Sequence, residues 1–253
     1  MTSPVPTVFT SAVAAWLTRC GYASADPRAA LIDMDGTLYD SMKNHTAAWH
    51  RLMTENGVDC TRDEFYLYEG RTGASTIDEM FKRQFRRHAT DGEKERLYHL
   101  KTLYFRELPE VERMPGALEM VTAFAALGLK RVLVTGSGQN SLISRIPADF
   151  PGLFSDELRI TSRNVEHGKP HPEPFLKAMQ LAGVTPRESV VVENAPLGIR
   201  AGHDSGAFTV GVVTGPIPRE AFEEAGADII FPSMPEFAAN VPLLVTTLKQ
   251  TRL

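Results

Sequence analysis

Four short β-branched runs separated by helical stretches constrain the second half of this chain more than any other feature. The runs are Arg131 to Thr135, Ser189 to Glu193, Phe208 to Val213 and Asp228 to Phe231. Strands separated by amphipathic helices pair in parallel, because each crossover carries the chain back to the end where the previous strand began. The pattern therefore predicts the α/β class, a parallel sheet with helices on both faces. Ligands of such sheets gather beyond the carboxyl ends of the strands. Three polar groups end apolar runs there: Asp33-x-Asp35, Thr135-Gly136-Ser137 and Glu193-Asn194.

The first of these groups carries the most chemistry. Asp33 and Asp35 are two apart, so on an extended backbone their side chains leave on the same side. Like charges at close range push their pKa values apart, leaving one carboxylate as nucleophile or metal ligand and its neighbour as proton donor. Gly36 permits a sharp turn, and Thr37 adds a small hydroxyl. Alone, the same residues would read as a strand ending in an Asp-Gly turn.

The 253 residues can bury a substantial core, and 43% hydrophobic with 23% charged residues is ordinary globular composition. A net charge of -4 gives no strong attraction to nucleic acid or to an anionic membrane. Cys20 and Cys60 form no Cys-x-x-Cys motif, so a disulfide scaffold or structural zinc is not expected and a reducing cytoplasm fits. Residues 1–28 read as a helical extension, with Val8, Phe9, Ala12, Val13, Trp16 and Leu17 at helical spacing. A cleaved signal is not expected, since Met1 to Thr7 contains no Lys or Arg. No run is long enough for a transmembrane helix. Composition fixes no oligomeric state.

Residues 43–113 differ from the rest: helical periodicity, charged outer faces and no convincing strand. Segments near His45 to Asn56, Asp63 to Tyr68, Ser75 to His88 and Glu93 to Glu107 predict a small helical bundle inserted after the first strand, a cap over residues 29–42 and 114–253. Lys82, Arg83, Arg86 and Arg87 read as a solvated helix face rather than an anion site. Gly36 to Met42 and Glu112 to Gly116 are the expected hinge strands.

Four motifs now fall in a fixed order: Asp33-Met34-Asp35-Gly36-Thr37, Thr135-Gly136-Ser137, Gly168-Lys169-Pro170-His171-Pro172-Glu173-Pro174, and Val190 to Ile199 around Glu193-Asn194. In that order they resemble the haloacid dehalogenase-like phosphotransferases, and the helical insert resembles the cap of the β-phosphoglucomutase-like branch. The resemblance implies a Rossmann-like core and a Mg2+-dependent phosphohydrolase. It implies that Asp33 attacks phosphorus to form an aspartyl-phosphate, and that Asp35 protonates the leaving oxygen and later activates water. Thr135 with Gly136 and Ser137 would hold phosphoryl oxygens, and Lys169 would bind Asp33 and the phosphoryl group by charge. Mg2+ would sit on Asp33, on the main-chain carbonyl of Asp35 and on an acid of the fourth motif. A dinucleotide site is not expected, because Gly136-Ser137-Gly138 lacks the Gly-x-Gly-x-x-Gly spacing.

The fourth motif departs from the family pattern. It often reads Glu-Asp, whereas Glu193-Asn194 supplies one fewer negative charge. Either Glu193 rotates toward the metal or a cap acid contributes, Glu69 beside Gly70 and Arg71 being the candidate. A cap carboxylate would shrink the cavity and suit a compact anion, so inorganic pyrophosphate is the leading specific expectation within the class of small phosphorylated substrates. Arg71 and His45 are the cap-side substrate candidates. His45 also sits where mutases of the branch place a histidine, which makes a sugar phosphomutase or sugar-phosphate phosphatase the alternative. A dehalogenase is disfavoured because its leaving group needs no proton, and a catalytically silent binding protein would fit only if Asn194 marked lost metal binding.

Overall fold

The computed structural model describes residues 7–138 and 140–253. Six parallel strands form one sheet: β1 (Ala29–Ile32), β2 (Lys130–Val134), β3 (Arg159–Ile160), β4 (Ser189–Glu193), β5 (Phe208–Val212) and β6 (Ile229–Phe231), in the order β3-β2-β1-β4-β5-β6. β1 and β4 are buried along their full length, which is why they read as continuous apolar runs rather than alternating ones. The two-residue β3 is an edge strand too short to carry a periodic signal, and it escaped the sequence reading. The order reverses at β1, between β2 and β4. That places the crevice of the sheet beyond Ile32.

One face of the sheet packs on α6 (Ala117–Ala126), α8 (Met234–Gln250) and the amino-terminal α1 (Thr7–Cys20). Phe9, Val13, Trp16 and Leu17 of α1 are buried, as their spacing predicts, whereas Val8 is exposed. Trp16 Nε1 donates to Gly206 O at 3.1 Å and Arg19 pairs with Asp228 at 2.9 Å, so this helix is a fixed layer of the core. On the other face, Phe175, Ala178, Met179 and Ala182 of α7 (Glu173–Ala182) pack against Ala29, Leu31, Val132 and Val191.

The inserted region carries α2 (Met42–Glu55), α3 (Glu64–Leu67), α4 (Gly73–Phe85) and α5 (Asp91–Arg106) around its own core of Leu52, Met53, Phe65, Ile77, Met80, Phe81 and Leu97. Thr90 and Glu93 cap α5 reciprocally, and Thr72 caps α4 by accepting the Ser75 N–H. The basic stripe is a paired surface: Lys82 meets Asp78, Arg83 meets Glu64, and Arg87 meets Glu93. The two connections to the core bond to each other, Asp40 N to Glu112 O at 3.0 Å and Met114 N to Leu38 O at 2.9 Å. The cap therefore hangs from two connecting segments bonded side by side.

Candidate active site

Asp33 follows β1 and still bonds β4 through its N–H to Val192 O at 3.1 Å, which fixes it at the strand tip. Lys169 reaches it from the loop before α7: Nζ lies 2.6 Å from Asp33 Oδ1, 2.5 Å from Glu193 Oε1 and 3.1 Å from Val134 O. Lysine and carboxylates are all but fully buried. Asp33 Oδ2 is buried too and has no hydrogen-bond partner among the described residues. An ionised oxygen of that kind is costly unless something cationic or electrophilic meets it.

The rest of the cluster deepens the shortage of positive charge. Burial, with the charge of Glu193, pushes the Asp33 carboxyl up to about 8 against the pull of Lys169. Burial, with Asp33, raises Glu69 as well, and burial raises Glu193 despite Lys169. Glu69 enters from the cap and accepts a hydrogen bond from Asn194 Nδ2 at 2.9 Å, while Thr37 Oγ1 donates to Asn194 Oδ1 at 3.1 Å. Gly36, at φ 76°, makes room for this approach: a Cβ there would stand 2.0 Å from Asn194 Nδ2 and 2.7 Å from Glu69 Oε1. The carboxylate of Asp33, an amide carbonyl and a second carboxylate, in a pocket short of cations, are the donor set of a hard divalent ion. These residues fit Mg2+. Of the fourth motif, Glu193 is turned to Lys169, and Asn194 faces the cap acid.

Asp35 lies on a second line of contacts. Its Oδ1 accepts from Ser41 Oγ at 2.7 Å and lies 2.9 Å from His45 Nε2, and His45 Nδ1 lies 2.5 Å from Lys101 Nζ. A neutral imidazole satisfies both contacts, donating from Nε2 to the carboxylate and accepting the lysine N–H at Nδ1. Burial and the neighbouring Lys101 hold the His45 pKa down. Burial raises Asp35, but the adjoining His45, with the Ser41 hydrogen bond and the charge of Lys101, more than reverses this, so the carboxyl stays in its base form. That is the form able to take a proton from water.

Thr135, Gly136, Ser137 and Arg71 line one cavity with Asp33, Asp35, His45 and Glu69, and its volume is about 60 Å³. Thr135 Oγ1 accepts the Ser137 N–H at 3.0 Å, shaping the loop into a turn of amides. Arg71 Nη1 donates to Ser75 Oγ at 3.2 Å, while its buried Nε has no partner among the described residues. Cap and core meet tightly, since a Cβ on Gly136 would lie 2.4 Å from Gly70 O. All eleven sequence-singled residues thus converge on one locus.

Sequence reasoning missed Ser41, Lys101 and Tyr98. Tyr98 accepts the Gly138 N–H at 3.1 Å and latches cap to core. Lys101 carried a signal: it lies four residues from both Leu97 and Phe105, on the buried stripe of α5. Burial brings its pKa down to about 7, against the pull of Asp35. The folded state then binds fewer protons than the unfolded chain between about pH 7 and 10.5, so this lysine makes stability rise with pH across that window. Lys101→Met is expected to flatten that rise in urea titrations and to lower kcat about tenfold by freeing the His45 ring. An unchanged profile would remove Lys101 from the relay.

Comparison with known proteins identifies the family of the chain. Residues 27–206 match the family described as "haloacid dehalogenase-like hydrolase". The chain is 44% identical to a structure described as "Putative beta-phosphoglucomutase from Bacteroides vulgatus", with a TM-score of 0.93 over 96% of this chain and 99% of that one. It is 27% identical to hexitol phosphatase A of Escherichia coli, over 72% of this chain and 81% of the relative. It is 29% identical to 2-deoxyglucose-6-phosphate phosphatase 2 of Saccharomyces cerevisiae, over 79% and 85% respectively. Among the described residues no helix is long and apolar enough to cross a membrane.

Proposed function

The chain belongs to the haloacid dehalogenase-like hydrolases, in their β-phosphoglucomutase-like branch, and from that premise we propose a Mg2+-dependent phosphohydrolase that turns over small sugar or polyol phosphates through phospho-Asp33. The observation that carries the reaction is the bare Oδ2 of a buried Asp33 whose other oxygen is held by Lys169. An oxygen fixed in that way is oriented for in-line attack without further rearrangement. Lys169 orients the nucleophile and balances charge on the phosphoryl oxygens, and the Thr135 to Ser137 turn directs amides at them. A proton that reaches Asp35 from Lys101 through the His45 ring goes on to the leaving oxygen, and the proton that Asp35 takes from water in the second half-reaction restores the relay. Asp33, the carbonyl of Asp35, Asn194 and Glu69 would hold Mg2+, whose chemistry is to neutralise phosphoryl charge. Residues 43–113 open on the Leu38 and Glu112 hinge to admit substrate and close to exclude water.

The substrate class follows the relatives, which are named for hexitol and deoxyglucose phosphates. None of those named above is a pyrophosphatase, so the expectation of inorganic pyrophosphate gives way to its alternative as the first reading. One observation keeps pyrophosphate as a second reading. With the cap closed and Glu69 on Asn194, the cavity of about 60 Å³ falls well short of roughly 300–1,000 Å³ for ordinary ligand clefts. Phosphate release with Mg2+ from hexose phosphates, hexitol phosphates and pyrophosphate separates them. A sugar or polyol phosphate is expected to lead pyrophosphate by at least about tenfold in kcat/KM, about 1.4 kcal/mol of transition-state binding. Pyrophosphate in the lead, with a Glu69→Ala loss confined to it, would reverse the order. Interconversion of sugar phosphates without phosphate release would make the chain a mutase.

A further inference from the structure

The loop that carries Lys169 holds three more ligand-bearing side chains that the reaction does not use. His167, His171 and Glu173 each offer one ligand atom, and these atoms all lie within 4.8 Å of one another at the surface. The imidazoles pack with centroids 4.8 Å apart. Glu173 Oε2 accepts the His167 N–H at 2.8 Å and faces His167 Nδ1 at 3.2 Å, while Oε1 accepts the Glu166 N–H at 2.9 Å. Lys177 Nζ pairs with the same Oε1 at 2.7 Å. His171 Nδ1 accepts the Glu173 N–H at 3.2 Å, which fixes its ring beside that carboxylate.

We propose that His167, His171 and Glu173 form a surface site for a borderline transition-metal ion, Zn2+ being the probe, and that its occupation clamps the Lys169 loop. Two imidazoles and a carboxylate form a zinc-type set with an open position, whereas Mg2+ takes oxygen ligands. The site is therefore selective against the ion of the catalytic pocket. Glu173 is already oriented by two amides and Lys177, the outer support that metal-binding carboxylates require. The ligands bracket Lys169, two residues before and two and four after, and Gly168 abuts the cap, since a Cβ there would lie 2.7 Å from Thr72 Cγ2. Tying residue 167 to residue 171 restricts the backbone between them, and with it the ammonium that must follow the phosphoryl group.

Calorimetric titration of Zn2+ into the full chain, with excess Mg2+ filling the oxygen site, is expected to show one Zn2+ per chain. His167→Gln and His171→Gln should each weaken it at least about tenfold. In zinc-free buffer both variants should turn over as the parent does, and each should escape the loss of kcat that Zn2+ imposes on the parent. Unaltered Zn2+ affinity in both variants, or no binding to the parent, would overturn the site. Binding at the site that leaves the kcat of the parent untouched would overturn the clamp.

Discussion

Asp33→Asn is expected to remove turnover by about 10⁴-fold or more while making the metal-free protein more stable. Loss of a covalent nucleophile leaves only the binding and orienting groups, and such changes are among the largest known for single residues. The stability gain comes from charge. Asp33 is raised from 3.8 to about 8 by burial and by Glu193, so the folded state binds more protons than the unfolded chain across that window. Its contribution is present below pH 4 and is lost as pH rises toward 8. An amide of the same shape carries no such cost, so the variant should exceed the parent in urea midpoint near pH 8 and the two should converge near pH 4. Excess Mg2+ should stabilise the parent and have much less effect on the variant, because ligand stabilisation follows affinity for the folded state. Full turnover in Asp33→Asn would end the aspartyl-phosphate reading.

Residues that face a strand end or sit in a glycine turn were legible in the sequence, because their positions follow from backbone periodicity. Asp33 and Lys169 meet in the structure at 2.6 Å although 136 positions separate them, and only the order of motifs foretold that. The cap acid was legible for a different reason. Glu69 precedes Gly70, whose φ of 88° turns the chain toward the core, and Gly36 leaves the space that Glu69 fills. What escaped was set by tertiary packing. Lys101 meets His45 across two cap helices, Tyr98 meets Gly138 across the cap-core boundary, and β3 is defined only by its pairing with β2. Contacts of that kind have no period along the chain.

Lys169→Met tests the charge balance of the same pocket from the opposite side. The ammonium is buried between Asp33 and Glu193, and although burial alone would depress its pKa, those two carboxylates raise it, so it is charged throughout the working range. A methionine fills similar volume, which separates the electrostatic loss from a packing defect. Removing one partner of a buried ion pair costs about 3–5 kcal/mol when the other charge remains. Here two carboxylates remain, and each can escape by taking up a proton, which is easier at low pH. The destabilisation should therefore be small near pH 5 and grow toward pH 8, opposite to the behaviour of Asp33→Asn. Turnover should fall by at least about 10²–10³-fold at every pH, since a preorganised donor to the phosphoryl oxygens is lost whatever the state of the acids. Urea unfolding of parent and variant at the two pH values, beside phosphate release, provides the check. A stability loss equal at both would mean that Lys169 contributes packing alone, and the pocket would need another cation to hold its acids together.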